Sequence, residues 1–156
     1  MILPRWHHTR TLNREMNGRS ENLSDRKLGI YSDVLLDHFR NPRNYGSLPS
    51  PDAAYEEFNP LCGDRIRIEL KISENRIAAA RFVGDGCAIS IAAASLLTEL
   101  VLGAEIDKCA VISDEELLSS LKSDIKPSRK KCALLPLEAL RSCVKFYFQS
   151  GAGKSA

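Results

Sequence analysis

Four residues have the types and settings to do chemistry in this chain: Cys62, Asp64, Cys87 and Cys132. In Cys62-Gly63-Asp64 a thiol and a carboxylate two residues apart can turn to one side, and Gly63 permits the tight backbone this needs. In Gly84-Asp85-Gly86-Cys87 two glycines allow a sharp turn that delivers Cys87 to a helix N-terminus, where the macrodipole favours a thiolate. Cys132 follows the run Arg129-Lys130-Lys131 near another helix start, and the charges of Arg129 and Lys131 are expected to lower its pKa further. All three thiols are expected at exposed, loop-edge positions and ionised near neutral pH. Three thiolates and one carboxylate make a tetrahedral set that suits zinc, or iron in an iron-sulfur cluster, because soft sulfur ligands select those metals. The spacing of the cysteines matches no short metal-binding rule, so the fold has to bring them together.

Each residue also has a plainer reading. The three cysteines could be separate buried thiols, Asp64 a turn residue capping its own backbone, and Arg129 and Lys131 a solvated basic turn. His38 lies on a mostly apolar helix face and reads as a packed, hydrogen-bonded histidine. Cys109 and Cys143 sit inside helices among Ala, Val, Leu and Phe and read as thiols without chemistry. Asn59 and Pro60 read as residues that shape the loop before Cys62.

The elements that must position these groups begin with a short amphipathic helix from Ile30, where Tyr31, Val34, Leu35, His38 and Phe39 recur at helical spacing until Asn41-Pro42 stops the run. A loop over 43–52 leads to a first strand at 54–59. Arg65 to Ile72 then alternates charged and apolar residues, the pattern of a strand with one wet face. Ser73-Glu74-Asn75 turns the chain into a third strand, 76–83, and connections this short favour an antiparallel meander. A small-residue helix follows over 87–102 and ends at Gly103. Two short helical pieces at 106–110 and 114–122, the second capped by Ser113, precede a last helix from about Ser128 to Gln149. Pro136 belongs in a first turn, so that helix either starts near Leu135 or bends there. Strands first and helices after predict an α+β fold, a small three-stranded antiparallel sheet covered on one face by helices.

Length and composition narrow the function. At 156 residues there is room for one ordinary domain, expected at 29–149 between disordered tails at 1–28 and 150–156. The 1–28 segment holds scattered arginines and no periodic apolar face, and Met16 is an alternative start. The net charge of +2 comes with no basic face, which argues against nucleic acid as a partner. The longest apolar stretch, 88–103, is interrupted by Ser90, Ser95, Thr98 and Glu99 and is too short to span a bilayer. Five cysteines is an odd number, and no secretory signal is visible, so the thiols are expected to be reduced and the protein cytoplasmic. A zinc hydrolase would need a motif such as His-Glu-x-x-His, and a thiol oxidoreductase Cys-x-x-Cys; neither is present. A purely structural zinc domain would explain the ligands, but a chain with this much apolar sequence should not need metal to fold.

Four segments carry a family resemblance. Tyr31 to Gly46 (YSDVLLDHFRNPRNYG), Asn59 to Asp64 (NPLCGD), Arg81 to Ser95 (RFVGDGCAISIAAAS) and Lys131 to Leu140 (KCALLPLEAL) resemble, in order, the motifs of the NifU-like scaffold family with its IscU and SufU branches. The resemblance implies a SufE/NifU-like fold. It also implies a monomeric or weakly dimeric scaffold that takes sulfur from a cysteine desulfurase, binds iron, builds a transient [2Fe-2S] cluster and passes it to acceptor apo-proteins. By the same resemblance Cys62, Cys87 and Cys132 are the ligands, Asp64 is the carboxylate that keeps a cluster transferable or completes a zinc site, and Cys132 accepts sulfur. Such a protein is a scaffold or sulfur acceptor rather than a classical enzyme.

Two departures bear on the branch. Lys131 stands where the IscU branch carries a histidine, and an ammonium cannot coordinate metal. Arg129 and Lys131 resemble SufU, yet the 44 residues between Cys87 and Cys132 leave no room for that branch's extra segment. The stretch Asp124-Ile125-Lys126-Pro127-Ser128 also lacks the IscU motif for its transfer chaperone. The alternative to a cluster scaffold is therefore a zinc-dependent protein that relays persulfide sulfur from the desulfurase to another scaffold.

Overall fold

The computed structural model of the chain describes residues 30–151. The tail expected at 1–28 lies outside them, and the one expected from residue 150 is described only to Gly151. The chain divides at Ile30 into two units, and every described element belongs to the second, Tyr31–Ala156.

Helix α1, Asp33–Arg40, starts three residues later than the apolar spacing predicts, because Ser32 caps it by accepting from the Leu35 N–H at 3.1 Å. The same serine ties that helix end to a distant segment, donating from its hydroxyl to Leu121 O at 2.6 Å. Strands β1 (Ala53–Phe58), β2 (Arg65–Ser73) and β3 (Arg76–Asp85) form the antiparallel sheet in the order β1-β2-β3. The β2–β3 hairpin closes through Glu74 and Asn75, both at positive φ, the backbone of a two-residue turn whose twist matches the strands. Asn44 and Gly46 exchange backbone hydrogen bonds with Phe82, so the loop after α1 lies along the outer edge of β3.

Helix α2, Ala88–Val101, is buried nearly all round, with Ala92, Ala93, Ala94, Ser90 and Ser95 letting its neighbours approach closely. The short helices α3 (Ile106–Cys109) and α4 (Asp114–Ser120) follow, and Ser113 caps α4 through the Glu116 N–H. A 3₁₀ turn at Pro127–Arg129 leads into α5, Lys130–Gln149, which packs along β1, β2 and α2. Leu137, Leu140, Cys143 and Val144 of α5 meet Ile66, Ile68 and Leu70 in the main core. A second core joins Leu35 of α1 to Ile89 of α2, Leu121, Ile125 and Cys132. None of the described helices is long and apolar enough to cross a membrane.

Two expectations change. The outer face of β2 is not uniformly wet: Glu69 is buried, flanked by Ala54 and Arg81 on the adjoining strands, with Arg67 Nε 3.9 Å from its Oε1. Its central strand leaves it no side open to water. Pro136 stands in the interior of α5, not its first turn, and the helix runs through it. Lacking an N–H, Pro136 gives nothing to the carbonyl of Cys132 four residues before, and its ring is buried.

Candidate metal centre

Register sets the location of the site. Phe58 pairs with Arg65 and Arg65 with Asp85, so the β1–β2 loop and the β3–α2 corner emerge at the same end of the sheet. The N-terminus of α5 brings Cys132, its third residue, to that end.

Asn59 organises the β1–β2 loop. Its side-chain oxygen accepts from the Leu61 N–H at 3.1 Å, its carbonyl from the Gly63 N–H at 2.8 Å, and its own N–H donates to Asp64 O at 2.8 Å. Gly63 has a φ of +77°, a conformation that favours glycine, and this turns Cys62 and Asp64 toward the same side. Cys62 is exposed; Asp64 is only 5 % exposed.

At the β3–α2 corner the glycines act through close approach and not through left-handed backbone. Gly84 is still in β3, paired with Ile66, and a Cβ on it would stand 2.1 Å from the Arg65 carbonyl oxygen. Gly86 faces Ser90 and Asp64, where a Cβ would lie 3.0 Å from Ser90 Cβ and 3.4 Å from Asp64 Cγ. Cys87 then takes the N-cap position of α2.

The side chains converge on Asp64. Ligand atoms of Cys62, Asp64 and Cys132 all lie within 4.8 Å of one another. Cys87, expected as a fourth ligand, lies outside this trio, and its Sγ is 3.4 Å from the Ser90 hydroxyl, which donates to Asp64 Oδ2. Burial raises the Asp64 pKa, but hydrogen bonds from Ser90, Cys62, Cys87 and Cys132 outweigh it and leave the carboxyl below its usual range. With Zn–S bonds of about 2.3 Å, two sulfurs on a tetrahedral ion stand about 3.8 Å apart, and the Cys62 and Cys132 sulfurs are 3.8 Å apart. Cys62, Asp64 and Cys132 thus suit three positions on zinc or tetrahedral iron.

Cys132 departs from the expected exposed thiolate. It is 2 % exposed. Burial, the neighbouring Cys87 and a hydrogen bond to Cys62 push its thiol up to about 12, while Arg129 pulls the other way. The two basic residues also separate: the Arg129 guanidinium favours the Cys132 thiolate, whereas Lys131 is exposed. His38 is the packed histidine expected, its Nδ1 2.8 Å from Ser95 Oγ. Cys109 and Cys143 are buried away from the site.

Ser90 is the site residue that sequence reasoning missed. A serine three residues after a helix-capping cysteine lies one turn on, on the same face, so the spacing Cys87-x-x-Ser90 carried the signal.

A family model described as the NifU-like N terminal domain matches residues 30–153. The chain is 35% identical over 120 residues to the iron-sulfur cluster assembly scaffold protein IscU 1 of Archaeoglobus fulgidus, covering 77% of this chain and 78% of the relative. It is 34% identical over 132 residues to the zinc-dependent sulfurtransferase SufU of Bacillus subtilis, covering 74% and 89%. Among solved structures, an N-terminal NifU-like protein from Brucella abortus superposes with a TM-score of 0.64 at 20% identity, over 77% of this chain and 95% of that one, a likeness of fold.

Proposed function

This chain belongs to the NifU-like N terminal domain family, and from that membership and the geometry above we propose that it is a cytoplasmic iron-sulfur cluster assembly scaffold. It takes sulfur from a cysteine desulfurase, binds iron and transfers a [2Fe-2S] cluster to acceptor apo-proteins, working as a monomer or weak dimer. Cys62, Cys87, Cys132 and Asp64 hold the metal and the cluster. The observation that carries this reading is the Cys62–Cys132 sulfur separation of 3.8 Å, with an Asp64 oxygen within 4.8 Å of both sulfurs.

The mechanism follows from where protons and sulfurs sit. The Ser90 O–H points at Asp64 and the Cys132 S–H at Cys62, and the thiols must release their protons when they become ligands. A bound divalent ion would supply the positive charge that keeps those sulfurs as thiolates. Burial orders the sulfurs in sulfur delivery. Exposed Cys62 attacks the terminal sulfur of a partner's persulfide, releasing the partner's thiolate and forming a persulfide on Cys62. Cys132, behind it, attacks that terminal sulfur in turn; its proton passes to Cys62 Sγ, toward which its S–H already points, and Cys62 leaves as the thiol. Cys132 is thereby the final sulfur acceptor, and Arg129 stabilises its thiolate.

A zinc-holding sulfur relay is the second reading, favoured by Lys131, which offers no metal ligand, and by Arg129 against Cys132. Protein purified without oxygen and incubated with a cysteine desulfurase, cysteine and Fe(II) separates the two. Charge-transfer bands in the visible range with stoichiometric sulfide are expected of the scaffold. Tightly held zinc, no colour and a stimulation of desulfurase turnover that Cys132→Ala abolishes would establish the relay instead. Absence of metal, colour and stimulation together would sink both.

A further inference from the structure

Ser90 touches two of the four proposed ligands and is fully buried in the first turn of α2. Its hydroxyl donates to Asp64 Oδ2 and lies 3.4 Å from Cys87 Sγ. The space behind this contact is closed by Gly86, where even a methyl group would press on Ser90 and touch Asp64. A serine hydroxyl has a single proton, and here it is committed to one oxygen of one carboxylate. Among the described residues the Ser90 hydroxyl is the one geometric hydrogen-bond donor to the Asp64 carboxylate, whose backbone carbonyl is taken up by the Asn59 N–H.

We propose that Ser90 is a positioning residue for the metal centre: by fixing Oδ2 it makes Asp64 present its other oxygen to the shared ion as a one-oxygen ligand. This goes beyond the four-ligand reading and rests on it. Partners that orient a ligand in this way are commonly worth 10- to 100-fold in metal affinity, so removal of the hydroxyl should weaken zinc binding about tenfold.

A double-mutant cycle tests it, with Zn(II) affinity measured by chelator competition on the full chain. Ser90→Ala is expected to lose about tenfold in the presence of Asp64 and less than about twofold in an Asp64→Ala background. Co(II) loaded into Ser90→Ala should show weaker visible d–d bands than in the unaltered protein, as the released carboxylate moves toward two-oxygen coordination. Ser90→Thr, which keeps the donor, should stay within about threefold of the unaltered protein and carries the test if Ser90→Ala does not fold. An equal loss in both Asp64 backgrounds would assign Ser90 to the packing of α2 and overturn the proposal, as would no loss at all or a tenfold loss in Ser90→Thr. If the unaltered protein binds neither Zn(II) nor Co(II) at one per chain, or Cys62→Ala and Cys132→Ala leave binding intact, the four-ligand reading itself falls, and this inference with it.

Discussion

Two cysteines on one helix have the same burial and opposite surroundings. Cys132 in the first turn of α5 is 2 % exposed and Cys143, about three turns on, is 0 % exposed. Burial is the largest cause that pushes each thiol up to about 12. Their neighbours differ. Cys143 has Ile68 O at 3.9 Å and core side chains around it, while Cys132 has Cys62 Sγ at 3.8 Å, Asp64 and the Arg129 guanidinium. Neither burial nor a perturbed pKa therefore distinguishes a working thiol from a packing one; a second sulfur and a carboxylate within reach do.

The largest effect expected is on metal affinity. Zinc held by four ligands is commonly bound with about 10–16 kcal/mol, so loss of one ligand should cost about 3–4 kcal/mol, some hundred- to thousandfold. Cys132→Ala is expected to show that loss in chelator competition. Cys143→Ala should leave zinc affinity within about twofold and instead lower unfolding stability by about 1 kcal/mol in urea titration, the usual scale for a small core truncation. A zinc defect of similar size in both variants would erase the contrast between the two ends of α5.

A buried histidine offers the next largest effect and a control for reading pKa shifts as function. His38 is held at about 4 instead of its ordinary 6.5, chiefly by burial and then by the charge of Arg43, with Asp37 opposing. Ser95 Oγ at 2.8 Å and Glu99 at 3.6 Å complete its surroundings. The folded protein thus keeps His38 neutral where the unfolded chain takes up a proton. The stability this implies is fully present above pH 6.5 and is lost as the pH falls toward 4, by about 3 kcal/mol. Denaturant melts between pH 7 and 4 should show that slope, and His38→Gln should flatten it. Zinc affinity at pH 7 should be the same in His38→Gln as in the unaltered protein, since the shift belongs to α1–α2 packing; a coupled loss would join this region to the site.

The strands and helices were legible because their signals are local. Alternation over Arg65 to Ile72 and helical spacing in α1 and α2 need no knowledge of distant contacts, and the boundaries moved by only one to three residues where caps such as Ser32 and Cys87 decided them. The types and settings of the four site residues were legible too. What local sequence could not carry was depth: Glu69 reads as one more outward charge until its central strand is flanked on both sides, and Cys132 reads as a loop-edge thiol until α1 and α2 close over it. Gly84 read as a flexible turn residue, whereas its backbone is ordinary and only the nearness of Arg65 O excludes a side chain.

The smallest effect expected concerns the two cations beside Cys132, and helix geometry ranks them. Arg129 precedes the cysteine by three residues and lies on the same face one turn back; Lys131 precedes it by one and points about 100° away round the helix. Arg129 is accordingly the cation that favours the Cys132 thiolate, and Lys131 is exposed. Arg129→Gln removes the one neighbour that favours the Cys132 thiolate, so alkylation of Cys132 at pH 8, followed by mass spectrometry on metal-free protein, should slow about two- to fivefold, the range of a solvent-screened charge interaction. Lys131→Gln should leave the rate unchanged, and Cys143 should stay unmodified in both until the protein unfolds. Equal slowing by the two substitutions would mean that Cys132 responds to the general basicity of this turn and not to one oriented guanidinium, and the distinction between its surroundings and those of Cys143 would then rest on Cys62 and Asp64 alone.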